Sequence, residues 1–157
     1  MADRKPTPIA KVYEALSAAA DQRVTFPTEE PGEALVVSSD HSKQYTVRFG
    51  DGFYSSNDNA TYWQHYAGYP IVAVLIEQRK IGLPSNSKKT VQAFAGVNWK
   101  ALNTEYKDDY AKATADFLST ADDPKTLQKL VRIVADQMGA LDFAVKGNRA
   151  KMRQPEH

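Results

Sequence analysis

Gln44-Tyr45-Thr46-Val47-Arg48-Phe49-Gly50-Asp51-Gly52-Phe53-Tyr54-Ser55-Ser56 is the stretch whose reading decides the fold. Two short runs rich in aromatic and β-branched residues flank Gly50-Asp51-Gly52. A tight hairpin turn demands positive φ angles, which two glycines supply at no steric cost. Upstream, Pro27, Pro31 and Gly32 punctuate the chain, and Ala34 to Ser38 is short and β-branched. The simplest arrangement is a three-stranded antiparallel meander. Downstream come a polar turn, Asn57-Asp58-Asn59, and an aromatic-rich connection. Gly68-Tyr69-Pro70-Ile71-Val72-Ala73-Val74-Leu75-Ile76 then reads as an apolar helix with proline near its start and an end near Gly82.

The rest of the chain is predicted to be helical. Thr7-Pro8 supplies a cap residue and a first-turn proline for a helix in which Ile9, Val12, Tyr13, Leu16 and Ala20 form one apolar stripe. Residues 1–6 read as a loose tail. After the loop Leu83-Pro84-Ser85-Asn86-Ser87, a short helix runs from Ser87 or Thr90 through Phe94 and ends at Gly96. Asn98 caps a longer helix with Trp99, Leu102, Tyr106, Tyr110, Ala113 and Phe117 on one face. Asp123-Pro124 repeats the cap-then-proline signal for a last helix, with Leu127, Leu130, Val131, Val134 and Met138 inward. The fold class is therefore α+β: an N-terminal helix, the meander with its following helix, and three C-terminal helices. One domain spanning 1–157 is expected, with an αβββα part over 1–82, a helical extension over 83–146 and a basic flexible tail over 147–157.

Bulk properties exclude several classes. The chain has 157 residues, 42% of them hydrophobic, which is enough for one real core. It has no cysteine, so disulfides, thiolate-bound zinc and a cysteine nucleophile are all ruled out. The three histidines, His41, His65 and His157, are too scattered for a histidine-rich metal site. Its longest apolar run, Ile71 to Ile76, is far short of the roughly 20 residues that span a bilayer. With no apolar stretch near Met1, an intracellular protein without membrane attachment is expected, cytoplasmic, or nucleoid or nuclear if it binds DNA. Net charge is only +1, yet seven basic residues against two acidic ones fall between Lys125 and Arg153.

Residues of about 15–80 resemble the SWIM family, a ββα zinc module held by a Cys-x-Cys pair after the hairpin and a Cys-x-His pair at the start of the helix. Val37-Ser38-Ser39 and Lys43-Gln44-Tyr45-Thr46-Val47 are similar to its first strands, and Phe53-Tyr54-Ser55 to the strand before its first ligand. Ile71-Val72-Ala73-Val74-Leu75 is similar to the helix after its histidine. The resemblance puts the four ligand positions at Ser56, Asp58, Gly68 and Pro70, none of them a thiolate or an imidazole. No structural zinc and no other cofactor is therefore expected. Metal worth about 10 kcal/mol or more of folding free energy in small fingers is missing. Its place would be taken by packing of Phe53, Tyr54, Tyr62, Trp63, Tyr66 and Tyr69, helped by the added helices.

Binding, not catalysis, is the functional expectation. The resemblance implies a DNA or protein partner, and DNA or RNA is the leading expectation. Lys125, Lys129, Arg132, Lys146, Arg149, Lys151 and Arg153 are the candidate phosphate contacts, and the alternative for them is a solvated helix face and tail. Trp63 and Tyr66 are candidate base-stacking platforms, with burial in a small aromatic core as the alternative. Around Lys43 and Arg48 the hairpin carries Glu29, Glu30, Glu33, Asp40, Asp51 and Asp58, a face that suits a basic protein better than a phosphate backbone. A protein-interaction or self-assembly module using exposed aromatics is thus the second reading. An enzyme or small-molecule binder using a tyrosine-lined pocket is the third. His65 with Asp58 and Ser55 or Ser56 imitates a triad without the glycines of a nucleophile elbow, the accident a polar turn produces.

Overall fold

The hairpin forms, but its two glycines do different work. In the computed structural model, which describes residues 4–155, Gly50 pairs with Phe53 across the ladder and only Gly52 takes a positive φ, of 72°. A Cβ on Gly50 would stand 2.6 Å from the Phe53 ring, so this glycine serves close approach and not turn geometry. The strands are β1 (Val24–Thr25), β2 (Glu33–Val37), β3 (Gln44–Gly50), β4 (Phe53–Ser56) and β5 (Ala144–Gly147). They form one sheet in the order β1-β2-β3-β4-β5, antiparallel through β4, with β5 running parallel to β4. The expected three-stranded meander is thus the centre of a five-stranded sheet.

Seven helices accompany it among the described residues: α1 (Ile9–Ala20), α2 (Asn59–Gln64), α3 (Tyr69–Glu77), α4 (Lys88–Gln92), α5 (Trp99–Glu105), α6 (Tyr110–Ser119) and α7 (Pro124–Ala140). Helix α3 packs on β1 to β4 on one side and on α1 on the other. Pro70 to Ile76 are all buried, as expected of a helix that is apolar all round. In turn, α1 is covered by α4, α6 and α7. Tyr13, Phe94, Trp99 and Phe117 form an aromatic knot there, with ring centroids 5.3–6.3 Å apart. A single hydrophobic core runs from Val12 to Phe143. All five inward residues expected of α7 are buried, and Asp123 caps that helix through the Thr126 N–H.

Several boundaries depart from expectation for local reasons. Thr7 does not cap α1: its hydroxyl donates to the Ala67 carbonyl at 2.9 Å, and Pro8 takes the cap position. Helix α3 ends at Glu77, before a left-handed Arg79, and does not reach Gly82. The long helix expected from Asn98 is two helices. Asn98 caps α5 through the Ala101 N–H; the chain then passes through left-handed Lys107 and Asp108, and Asp109 caps α6 through the Lys112 N–H. The apolar period continues across this break, with Trp99 of α5 and Phe117 of α6 both packed against Tyr13 of α1.

Neither end is loose where it is described. Residues 1–3 of the expected N-terminal tail, and residues 156–157 of the C-terminal one, His157 included, lie outside the described residues. Arg4 donates to the carbonyls of Met138, Leu141 and Phe143, the last residues around the end of α7, and stacks 4.1 Å from the Phe143 ring centroid. Beyond β5, Asn148 donates to the Thr46 carbonyl and the Ser55 hydroxyl. Asn57 donates to the Ala150 carbonyl, and the Gln44 N–H to the Arg153 carbonyl at 2.7 Å. The segment read as a flexible tail from 147 is therefore laid along β4 and β3 as far as Arg153.

Candidate functional site

Helix α1 carries Lys11, Glu14 and Ser17 on the side away from its apolar stripe. On a surface helix that side meets water, yet all three are buried here. Ser17 accepts a 2.7 Å hydrogen bond from the Trp99 indole N–H. Lys11 and Glu14 form an ion pair at 3.3 Å, and the Lys11 ammonium lies 4.5 Å from the Tyr110 ring centroid. These two residues face a cleft of about 600 Å³ bounded by α1, α2, α5 and the start of β3. Tyr45, Tyr66, Tyr69 and Tyr110 supply most of its aromatic wall, and Trp63, Lys43 and Lys100 also line it.

The pair is under-satisfied on its acidic side. Glu14 Oε1 receives only a 3.5 Å contact from the Asn103 amide, and Oε2 is held by the Lys11 ammonium at 3.3 Å and by no other donor. Burial raises the Glu14 carboxyl above its ordinary value, against the pull of Lys11. For Lys11 burial also disfavours the charge, but Glu14, Tyr110 and Tyr66 outweigh it and hold the ammonium in its charged form. Burial, with Asp58 and Glu14 nearby, pushes the Tyr45 phenol up to about 12 and raises Tyr69 further. Tyr66 moves in the same direction, chiefly from burial. These three phenols are therefore neutral donors and apolar faces near pH 7, not phenolate bases. At the rim, Asp40 sits well below the carboxylate range: its slight burial is outweighed by hydrogen bonds from Ser42 and Ser38 and by the Lys100 charge, 3.6 Å away.

Helix α2, absent from the sequence reading, forms one side of the cleft. Asp58 caps it, accepting from the Thr61 N–H and the Thr61 hydroxyl. The same hydroxyl accepts from the Gly68 N–H at 2.9 Å, and the Asp58 N–H donates to the Ser56 hydroxyl. A Cβ on Gly68 would collide with the Asp58 carboxylate. Ser56, Asp58 and Gly68, three positions that the SWIM resemblance gives to metal ligands, thus meet around Thr61, and Pro70 follows in the first turn of α3. Among the described residues no group of three histidine, aspartate or glutamate side chains could hold a metal ion. The triad-like residues do not assemble: Asp58 and His65 cap opposite ends of α2, and the Ser55 hydroxyl donates to the Arg48 carbonyl.

The nine predicted site residues divide into two groups. Lys125, Lys129 and Arg132 are exposed on α7, which packs on α1, α4 and α6. The other six lie on α2, on the connection after it, on β5, which packs on α2, and on the segment beyond β5. Trp63 is 68% exposed, its indole edge-on to Tyr62, and the Tyr62 ring fills the space beside Gly147. From there Arg149, Lys151 and Arg153 run, exposed, towards Gln44, next to the cleft residues Lys43 and Tyr45. Lys146 stands 4.8 Å from the Phe53 ring centroid, and Tyr66 is half-buried in the cleft wall. Of the aromatics expected to replace the zinc, Tyr54 is in the core and Tyr69 packs against it, whereas Trp63 does not join it. The large exposed apolar residues, Ile9, Phe26, Trp63 and Met152, lie on four different segments.

Residues 4–144 match the protein-family model described as "Uncharacterised conserved protein UCP014422". The chain belongs to that family. No curated protein and no solved structure matches the chain. The family match includes every residue that lines the cleft and stops before Lys146 and the basic segment beyond it. Among the described residues no helix is long and apolar enough to cross a membrane.

Sequence reasoning missed Lys11 and Glu14 as site residues. Their i, i+3 spacing opposite an apolar stripe is what a solvated helix face also shows. What distinguishes them is coverage by Asn103 and Tyr110, more than 80 residues away.

Proposed function

We propose that this protein is a non-catalytic binding protein that holds a single-stranded nucleic-acid segment across helix α2. The observation that carries this reading is the exposed Trp63 indole between the cleft and the basic segment ending at Arg153. An indole that finds no core and stands beside a line of cations combines the two features unpaired strands use, a stacking face and a phosphate track. Meeting of Ser56, Asp58 and Gly68 around Thr61 also supports descent from a SWIM-like module. On this reading the α7 cations are a solvated helix face and take no part.

Fluorescence anisotropy of labelled single- and double-stranded oligonucleotides over a salt series tests this. Single strands bind more tightly, and affinity falls steeply with salt. Replacing Arg149, Lys151 and Arg153 together by alanine lowers the slope of log K against log salt by about 2, from about 0.7 per phosphate contact on single strands. Lys125, Lys129 and Arg132 changed together leave it unaltered. Absence of binding at low salt refutes the reading.

A further inference from the structure

We infer that the cleft beside Trp63 is a pocket for one nucleobase, with guanine preferred, read by the Lys11–Glu14 pair at its floor. This rests on the nucleic-acid reading and adds to it a place where a base enters the protein and is told from others. A volume of about 600 Å³ lies in the range of small-ligand sites and exceeds what one base requires. The walls are tyrosine faces, and the exposed Trp63 indole stands at the entrance.

The floor supplies the reading chemistry. Glu14 is a carboxylate whose relative exposure is 7%, with one oxygen held only by the Lys11 ammonium at 3.3 Å and the other only by the 3.5 Å contact from Asn103. Buried carboxylates ordinarily gather several donors, so this one is short of them. The terminal carboxylate torsion is broad, so the two oxygens can turn towards a pair of donors in the cleft without a change of rotamer. Lys11, 3.3 Å from that carboxylate, has an ammonium with donors to spare. Guanine's Watson–Crick edge sets two adjacent N–H donors beside a carbonyl acceptor, which complements a carboxylate beside an ammonium. Uracil offers one N–H donor between two carbonyls. Lys43 and Lys100, the latter shared with Asp40, also line the cleft and are the cations available to the 5′-phosphate of an inserted nucleotide.

The test uses quenching of Trp63 emission, since Trp99 is buried and bonded to Ser17. Guanosine monophosphate is expected to quench saturably and bind at least 5-fold more tightly than uridine monophosphate, from the 1–3 kcal/mol that a bidentate base contact discriminates. Ribose 5-phosphate should not bind detectably. Glu14→Gln should abolish the preference for guanosine over uridine monophosphate, with the fold unchanged by circular dichroism. If that variant does not fold, the unmutated protein still decides: N1-methylguanosine monophosphate, which lacks the central donor, should bind at least 10-fold more weakly than its parent. Equal binding of the parent and the methylated nucleotide, or of ribose 5-phosphate, overturns the base pocket. So does oligonucleotide binding with no saturable mononucleotide binding, which leaves the surface reading standing. Loss of both kinds of binding refutes both.

Discussion

Glu14 concentrates the tension between stability and function in a single side chain. Glu14 is the counter-charge of the buried Lys11 ammonium at the floor of the cleft, and a buried carboxylate with so few donors is a cost to folding. The sign of its pH dependence follows from the raised pKa. The folded protein holds the Glu14 proton more tightly than the unfolded chain does, so this residue favours folding below its ordinary value of 4.5. That contribution is lost as pH rises through the higher folded value. Urea unfolding of the wild type and Glu14→Gln between pH 4 and 8 checks this. The wild type should lose stability relative to the variant as pH rises from about 4.5, and a difference that is flat or grows in the opposite direction contradicts the assignment. In the sequence Lys11 and Glu14 are indistinguishable from a solvated i, i+3 pair, because burial is decided by segments that close over them from far along the chain.

At the scale of elements, what was legible was what is local. The β3–β4 hairpin, the apolar α3 and the caps at Asn98 and Asp123 each depend on residues within a few positions of one another. The break between α5 and α6 was hidden because the apolar spacing from Trp99 to Phe117 continues across it. Lys107 and Asp108 have φ of 52° and 64°, a conformation that costs an L-residue about 1–2 kcal/mol and glycine almost nothing. Lys107→Gly should therefore raise stability, by about 0.5–1 kcal/mol in a thermal or urea melt. In a continuous helix the same change would lower it by a similar amount. The opposite sign would restore the single long helix. Helix α2 escaped notice for another reason: its six residues carry no apolar period, and its Asp58 cap is tied through the Thr61 hydroxyl to Gly68 at the start of α3.

For the whole molecule, the least legible feature is the return of the C-terminus to the sheet. Four residues, Ala144 to Gly147, pair in parallel with β4 about 90 positions earlier, and no local pattern in so short a run specifies such a partner. Their placement converts a basic segment that reads as a frayed tail into an ordered rim beside Trp63 and the cleft, and it separates that rim from the α7 cations close to it in sequence. The α+β class was within reach because each layer announces itself by periodicity, whereas the site depends on three distant regions, α1, α2 with β3, and α5, meeting at one place. The account turns on the exposed indole at that meeting point. Anisotropy of a labelled single-stranded oligonucleotide with wild type and Trp63→Ala, at one low salt concentration, measures its role. Loss of one base stack, worth about 1–3 kcal/mol, predicts affinity about 5- to 150-fold weaker with the fold unchanged by circular dichroism. Equal affinity of the two proteins would contradict the account.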